Sequence, residues 1–372
     1  MLRIFTVIGA RPQFIKAAVL SRLIRSEKYK DKIFEILVHT GQHYDDNMSD
    51  IFFRQMEIPQ PDYNLSIGSL SHGAMTGAML EKIEKLLIKE KPDLVLVYGD
   101  TNSTLAGALA ASKLLIPVAH VEAGLRSFMM SMPEEQNRRL TDHLSTYLFC
   151  PTSVALENLK REGITYNQSQ KASSDNKFVY NCGDIMYEAS LYYREKVKEG
   201  LAKKKEEVIS KNILSILENK IKQKFSILTI HRQENTDNQE RLFSIFQALN
   251  DFKKLDIIFP VHPRTKKVIE KSGIRFNSHI HCIDPVGYFD MLYLEDNSEF
   301  IITDSGGVQK EAYFFNKPCI TLRDSTEWTE LVDAGWNTLV GADKEKIINA
   351  LNKMPSFGKR VNLYGDGKTA EK

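Results

Sequence analysis

Features that would point directly to a cofactor or a metal are missing from this chain of 372 residues. Its nine histidines show no HExxH or similar metal-binding spacing, and no GxGxxG dinucleotide motif follows an apolar run. No Walker loop, GxSxG nucleophile elbow or kinase motif set occurs. We therefore predict a protein that requires no cofactor and no metal and that does not hydrolyse ATP.

Cysteine is scarce as well. The four cysteines are far apart in the sequence, so no CxxC pair and no zinc-ligand spacing exists. We expect all of them to be buried free thiols, as is usual in a reducing cytosol. They are Cys150, Cys182, Cys282 and Cys319.

Long apolar runs and an excess of one charge are also absent. No run approaches the roughly 20 apolar residues that a membrane span needs. The apolar run at residues 1–8 is too short for a signal peptide and is predicted to be the first strand. Lysine and arginine total 50 against 48 acidic residues, which gives no general field for nucleic acid or membrane. We expect a cytoplasmic protein with neither partner.

Short apolar runs alternate with helical patterns along both halves of the chain. Most of the runs are nearly continuous, which is typical of parallel strands buried on both faces. The length favours two domains, so we predict a doubly wound α/β fold that occurs twice. The runs are at residues 4–8, 34–38, 94–97, 118–121, 147–150, 178–180, 227–230, 257–261, 281–283, 300–302 and 319–322.

The most informative segment is residues 303–312, Thr-Asp-Ser-Gly-Gly-Val-Gln-Lys-Glu-Ala, between an apolar run and a helix-compatible run. Backbone N–H groups and the dipole at a helix start favour an anion, and two glycines let a phosphate come close. Ser305 adds a hydroxyl donor. Glu311 lies about one helical turn further on, where its carboxylate can accept hydrogen bonds from ribose hydroxyls. The segment predicts a nucleotide diphosphate site; the alternative is an ordinary Ser-Gly-Gly turn.

Polar side chains follow nearly every predicted strand, where ligands bind in open parallel sheets. The first half supplies acids, and the second half supplies anion-binding groups, which suits chemistry on a nucleotide-linked sugar. Each residue also has a structural alternative. Asp100 could cap the helix that begins near Asn102. Arg126 and Arg138 could pair with nearby glutamates, namely Glu122, Glu134 or Glu135.

The motifs at these strand ends, taken in order, resemble the non-hydrolysing UDP-N-acetylglucosamine 2-epimerases from Leu2 to about Gly367. The resemblance implies a GT-B fold, in which two Rossmann-like domains (1–184 and 185–355) face each other across a cleft. It also implies a terminal segment, 356–372, that returns to the first domain, and a homodimer. The motifs are residues 9–16, 39–43, 99–104, 120–127, 132–138, 231–235, 261–265 and 303–312.

The resemblance also implies an isomerase reaction used for surface polysaccharide such as O-antigen. UDP is eliminated across C1–C2 and then adds back, with proton transfer on opposite faces of C2, and no cofactor takes part. The acid/base candidates are Asp100, Glu122 and Glu134. His231 is counted with the catalytic residues and holds the diphosphate together with Arg11, Ser305, Gly306 and Gly307. Glu311 binds the ribose, and Lys16, Arg138 and Arg323 complete the site.

Three departures from the family pattern bear on the substrate. No arginine follows residues 64–67, and Gln233 replaces a frequent arginine, which places activation by a second UDP-sugar in doubt. Trp328 replaces a cation and resembles a branch that includes epimerases of UDP-2,3-diacetamido-2,3-dideoxyglucuronate. We interpret Trp328 as a residue that affects substrate choice, through its flat surface and single N–H donor.

Other functions compete with epimerisation. A GT-B glycosyltransferase shares the Ser-Gly-Gly…Glu donor site, but it usually needs one base, whereas three acids cluster here. A hydrolysing epimerase would release UDP. A non-catalytic UDP-sugar sensor would keep the phosphate site without needing the acids.

Overall fold

The computed structural model describes residues 1–42, 56–203, 208–221, 224–353 and 361–372. These residues form two compact units, one of Met1–Ala189 with Asn362–Lys372 and one of Ser190–Val361. The boundary falls inside a helix, Ile185–Ala202. His43 of the predicted strand-end motif and the predicted boundary at 355/356 lie outside the described residues.

The first unit is built on a parallel sheet of seven strands among its described residues, in the order β3-β2-β1-β4-β5-β6-β7. The order reverses between β1 and β4, and in open sheets the ligand crevice lies at such a reversal. The strands are β1 (Leu2–Ile8), β2 (Ile33–His39), β3 (Tyr63–Asn64), β4 (Leu94–Tyr98), β5 (Val118–Val121), β6 (Tyr147–Cys150) and β7 (Phe178–Asn181). The helices are α1 (Arg11–Ile24), α2 (His72–Glu90), α3 (Asn102–Lys113), α4 (Pro133–Leu144), α5 (Ser153–Arg161) and α6 (Ile185–Ala202).

The second unit has a parallel sheet of six strands among its described residues, in the order β10-β9-β8-β11-β12-β13. Here the order reverses between β8 and β11. The strands are β8 (Phe225–Thr229), β9 (Asp256–Pro260), β10 (Ile280–Ile283), β11 (Ile301–Thr303), β12 (Cys319–Thr321) and β13 (Asn337–Leu339). The helices are α7 (Lys211–Asn219), α8 (Gln233–Thr236), α9 (Gln239–Asp251), α10 (Pro263–Ser272), α11 (Tyr288–Asn297), α12 (Gly306–Phe314), α13 (Thr329–Asp333) and α14 (Lys344–Lys353).

The core of each unit lies between its sheet and its helices. Phe5, Val38 and Val97 pack in the first unit against apolar side chains of the helices. Leu228 and Ile302 do the same in the second. The prediction of a doubly wound α/β fold that occurs twice is confirmed, and every predicted run forms a strand.

Two strands were not predicted. β3 has two residues and β13 has three, and both lie at the edge of their sheets. β3 reads Tyr-Asn and β13 reads Asn-Thr-Leu, so neither segment contains an apolar run that would mark it as a strand.

The expectation that all four cysteines are buried is wrong for Cys282, which is exposed, whereas the other three are buried. Cys282 lies on β10, the edge strand of the second sheet, where alternate side chains turn outward. Among the described residues, no helix is both long and apolar enough to span a membrane.

Candidate active site

Two predicted site residues, Lys16 and Glu122, form a buried ion pair at the carboxyl ends of the central strands in the first unit. Their side chains are 8% and 9% exposed. The pair lies over the turn after β4, since a Cβ built at Gly99 would be 3.3 Å from Glu122 Oε2 and 3.4 Å from Lys16 Nζ. Lys16 therefore holds the Glu122 carboxylate in place at the end of β5.

The backbone at Glu122 turns the side chain into this position. Its φ is +74°, a left-handed conformation that non-glycine residues rarely adopt. The N–H groups of Glu122 and Ala123 both donate to Phe149 O, at 3.0 and 3.1 Å, which holds the end of β5 in this shape. Backbone strain of this kind persists where surrounding contacts enforce it, often at functional sites.

Asp100 forms a second pair in the same turn. Arg138 donates from Nη2 to Asp100 Oδ2 at 2.5 Å and from Nη1 to Glu135 Oε2 at 3.3 Å. The structural alternative that Asp100 caps helix α3 is wrong, because Thr101 is the N-cap and accepts from the N–H of Thr104. The Asp100 carboxylate is thus held by an arginine of α4.

Glu134 and Glu135 begin α4 side by side but differ in environment. Glu135 is fully buried and accepts hydrogen bonds from both the N–H and the hydroxyl of Ser127, at 2.8 and 2.9 Å. Glu134 points to the surface. The predicted residue is therefore free to meet a ligand, whereas its neighbour fixes the loop before α4. Arg11 lies at the first position of α1 and is partly buried.

Sequence reasoning assigned no role to Gln13 and His120, whose side chains form hydrogen bonds with the backbone of the turns after β1 and β4. Gln13 accepts at Oε1 from the N–H groups of Gly9 and Ala10 and donates from Nε2 to Tyr98 O at 2.7 Å. His120 Nε2 lies 2.7 Å from Gly99 O and its Nδ1 lies 2.7 Å from Asp142 Oδ1, so the ring links the turn to a buried carboxylate. A histidine within the otherwise apolar β5 was the signal in the sequence.

Arg126 was a candidate partner for nearby glutamates, and the structure gives it different ones. It donates to Asp142 Oδ2 at 2.7 Å and forms a bidentate pair with Glu162 at 2.8 and 2.7 Å. Burial alone would raise the pKa of Asp142, but the bonds from His120 and Arg126 bring it below its usual value. Arg126 is therefore part of the structural support, whereas Arg138 does pair with Glu135.

In the second unit, Asp304 organises the loop that carries His231. Its buried carboxylate accepts from the N–H groups of His231 and Arg232, at 3.1 and 3.0 Å, and from Asn235 Nδ2 at 3.1 Å. Asn235 also donates to Leu322 O at 2.9 Å. One carboxylate at the end of β11 thus fixes the loop after β8, which is the neighbouring strand at the reversal of the sheet.

The Ser-Gly-Gly turn begins a helix, as predicted. Ser305 is the N-cap of α12, and Gly306 and Gly307 are its first two residues. Within the described structure, a Cβ at Gly307 would meet nothing within 4 Å, so a ligand can approach the backbone there. Glu311 lies further along α12 and is largely buried. The first N–H groups of the helix have no acceptor within it, which suits an anion.

His231 is a partly exposed ring beside this turn. Partial desolvation lowers its pKa below the usual histidine value, Arg232 and His262 act in the same direction, and Asp304 opposes them. The ring centroids of His231 and His262 are 5.9 Å apart. His231 therefore takes up a proton less readily than a free imidazole does.

Arg323 does not stand alone at the turn. It donates from Nη1 to Glu327 Oε2 at 2.7 Å, and Arg232 Nη2 lies 3.7 Å from Glu327 Oε1. The same carboxylate lies against Gly306, where any Cβ would overlap Glu327 Oε1. Burial raises the pKa of Glu327, but the two arginines outweigh it and hold the pKa below its usual value. Glu327 therefore carries a negative charge at the start of α12.

Trp328 packs beneath the same turn. Its indole Nε1 donates to Gly306 O at 2.9 Å, and Lys310 Nζ lies 4.2 Å from the centre of its ring. The side chain is buried, with 4% exposed. Since the single donor of the indole is already used, the structure makes Trp328 a support for the Ser-Gly-Gly turn and leaves no N–H for a sugar.

We expect Trp328→Phe to lower the stability of the protein and to weaken UDP binding. The buried Gly306 carbonyl loses its donor, which costs about 1–3 kcal/mol. Trp336→Phe is the matched control, because Trp336 is equally buried at 4% and packs on Tyr313, with ring centroids 5.2 Å apart. Thermal unfolding and calorimetry with UDP measure both effects. Equal loss of UDP affinity in the two variants would contradict a role specific to the turn.

Comparison with known proteins agrees with this geometry. Residues 26–372 match the family model described as UDP-N-acetylglucosamine 2-epimerase. A UDP-2,3-diacetamido-2,3-dideoxy-D-glucuronate 2-epimerase of Pseudomonas aeruginosa is 49% identical, over 100% of this chain and 98% of that protein. A UDP-N-acetylglucosamine 2-epimerase of Methanococcus maripaludis is 46% identical, over 100% of this chain and 97% of that protein.

A solved structure extends the likeness to three dimensions. The Methanocaldococcus jannaschii UDP-GlcNAc 2-epimerase in complex with UDP-GlcNAc and UDP superposes with a TM-score of 0.83 at 44% identity, covering 100% of this chain and 97% of that one. The paired carboxylates after β4 and β5, the Ser-Gly-Gly helix start and these full-length relatives lead to one conclusion. This chain belongs to the UDP-N-acetylglucosamine 2-epimerase family.

Proposed function

We propose that this protein is a non-hydrolysing UDP-sugar 2-epimerase, which interconverts UDP-N-acetylglucosamine-type and UDP-N-acetylmannosamine-type sugars. The observation that carries the proposal is the pair of carboxylates at one turn, Glu122 held by Lys16 and Asp100 held by Arg138, in a chain of this family. A transferase or a passive UDP-sugar sensor gives no reason for several cation-held acids at the same strand ends.

The reaction consists of an elimination and its reversal. A base removes the C2 proton, the C–H electrons form the C1–C2 double bond, and the C1–O bond breaks to release UDP. The intermediate is a 2-acetamidoglucal. UDP then adds to C1 while an acid delivers a proton to the opposite face of C2. The scheme needs proton-transfer groups on both faces of the sugar, and we assign these roles among Asp100, Glu122 and Glu134.

The second unit would stabilise UDP as a leaving group. Developing charge on the diphosphate is met by the helix start at Ser305, Gly306 and Gly307, by His231, and by the cation of Arg323. We assign to Glu311, which lies on α12, the role of accepting hydrogen bonds from the ribose hydroxyls. Arg11, Lys16 and Arg138 complete the set of groups that we propose to contact the substrate.

A second candidate substrate is UDP-2,3-diacetamido-2,3-dideoxyglucuronate. The P. aeruginosa epimerase named for that substrate is 49% identical to this chain. The M. maripaludis UDP-N-acetylglucosamine 2-epimerase is nearly as similar, at 46% identity. From the resemblance we also propose a cytoplasmic homodimer that serves the synthesis of surface polysaccharide such as O-antigen.

We expect a clear preference, of at least roughly tenfold in kcat/KM, between UDP-N-acetylglucosamine and the diacetamido-uronate, because a site built for one set of polar groups leaves buried partners unpaired with the other. Steady-state kinetics on both sugars measures the ratio. Comparable kcat/KM values would show that this chain does not discriminate at the sugar.

Incubation with either UDP-sugar in heavy water tests the proposed reaction. NMR should show the manno epimer and deuterium at C2 in both epimers, since each turnover exchanges the C2 proton with solvent. Free UDP formed in step with product would indicate a hydrolysing enzyme. Loss of the sugar only when an acceptor is added, without deuterium at C2, would indicate a glycosyltransferase.

A further inference from the structure

Glu327 places a negative charge where the proposed function needs an empty anion site. Its carboxylate lies against Gly306, the first residue of α12, and is paired with Arg323 and Arg232. The side chains of Arg323 and Glu327 are only 5% and 11% exposed. Two arginines beside a helix start are groups that commonly bind phosphate, and here the arginines hold a carboxylate of the chain itself.

We propose that Glu327 is an internal competitor for the substrate diphosphate: its carboxylate pairs with the two arginines beside the start of α12 and is displaced when the diphosphate binds. The inference rests on the proposed function of this turn as the diphosphate site. A diphosphate and a carboxylate cannot share the same donors at close range, because like charges repel strongly where water is largely excluded.

The segment around Glu327 favours a rotation of its side chain over a movement of the backbone. Residues 322–328 contain no helix or strand. The neighbours of Glu327 on both sides are nevertheless tied to α12: Thr326 Oγ1 donates to Gln309 Oε1 at 2.8 Å, and Trp328 Nε1 donates to Gly306 O at 2.9 Å. The carboxylate can therefore leave Gly306 by changing its rotamer while the loop stays in place.

This arrangement would set the affinity of the site. The charges of the two arginines are partly neutralised by Glu327, so a single free phosphate gains little binding free energy there. A diphosphate offers more charge and more acceptor oxygens, and it gains enough to displace Glu327. The cost of displacement also weakens binding of the product UDP-sugar, which helps it to leave.

Glu327→Gln tests the proposal, because glutamine keeps the shape of the side chain and removes its charge. Calorimetry should show UDP binding roughly tenfold tighter than in the wild type, a ratio that corresponds to about 1.4 kcal/mol. The variant should also bind inorganic pyrophosphate more tightly, by a similar factor. Its affinity for uridine, which has no phosphate, should not change. Glu299→Gln is the matched control, since its carboxylate pairs with Lys224 at 3.1 Å on the surface and its loss should change none of these affinities.

Glu327→Asp gives a second measurement if the glutamine variant folds poorly. The shorter side chain keeps the charge but withdraws it from Gly306, so UDP affinity should also rise, by a smaller factor. Unchanged or weaker UDP binding in a folded Glu327→Gln protein would overturn the proposal and make Glu327 a brace for Arg323. A wild-type protein that binds neither UDP nor pyrophosphate would instead overturn the proposed function itself.

Discussion

Glu122→Gln is expected to lower turnover by roughly 10²–10⁴-fold, the range that a lost proton-transfer group usually costs. Glutamine fills the same space beside Lys16 but cannot accept or deliver a proton at C2. UDP affinity should change little, because the groups that we assign to the diphosphate are mainly elsewhere. Single-turnover kinetics and the rate of deuterium entry at C2 measure the loss directly.

A control is needed because Glu122 is also one half of a buried ion pair, and removing one partner can destabilise the protein. Glu35→Gln is well matched, because Glu35 is buried and pairs with Arg25 at 2.5 Å. It lies near the amino end of β2, whereas the site lies at the carboxyl ends of the strands. It should cost stability without a loss of turnover in the folded fraction.

Asp100→Asn and Glu134→Gln extend the test to the other two acids, with losses of the same order expected for each that transfers a proton. Near-normal turnover in both Glu122→Gln and Glu134→Gln, with UDP binding intact, would falsify the assignment of the acid/base pair. A large loss in only one of the three would mean that the proton-transfer group on the other face of C2 lies outside this set.

Ser305→Ala and His231→Ala should each weaken UDP binding by roughly 10- to 150-fold. Each removes one donor to a charged acceptor, and such a hydrogen bond contributes about 1.5–3 kcal/mol. The affinity for uridine should remain unchanged, because both residues are assigned to the diphosphate. Titration calorimetry on the two ligands separates the phosphate contribution from that of the nucleoside.

Ser298→Ala is the control for this pair of variants. Its hydroxyl donates to Glu295 O at 2.9 Å in a buried position just before β11, so its loss affects packing and not the helix start. Unchanged UDP affinity in both Ser305→Ala and His231→Ala would place the nucleotide elsewhere on the protein.

The strands and the start of α12 could be predicted because their signals are local. A run such as residues 94–97 is apolar throughout, and two glycines shortly after such a run predict a turn, because glycine adopts backbone conformations that other residues avoid. The edge strands β3 and β13 could not be found, since their residues are mostly polar and form no apolar run.

Partners distant in sequence explain most of what was missed at the site. Asp304 and His231, whose loop it holds, are 73 residues apart in the sequence. Lys16 and Glu122, which form the buried ion pair, are 106 residues apart. Trp328 shows the same limit. Its flat ring and single N–H donor suggested an effect on substrate choice. Only the structure shows that the N–H donates its hydrogen bond to Gly306 O.

The first unit is discontinuous in the sequence, which bears on the order in which the protein can be completed during synthesis. Asp184 donates its N–H to Tyr364 O at 3.0 Å, and Ala370 donates to Glu188 at 2.8 Å, so the segment Asn362–Lys372 is built into a unit that otherwise ends near residue 189. A ribosome must translate all of the second unit before these bonds can form. During synthesis, the first unit therefore lacks its last segment until the second unit has been translated. Tyr364, which is buried at 1% exposure, is among the side chains that complete the packing of the first unit.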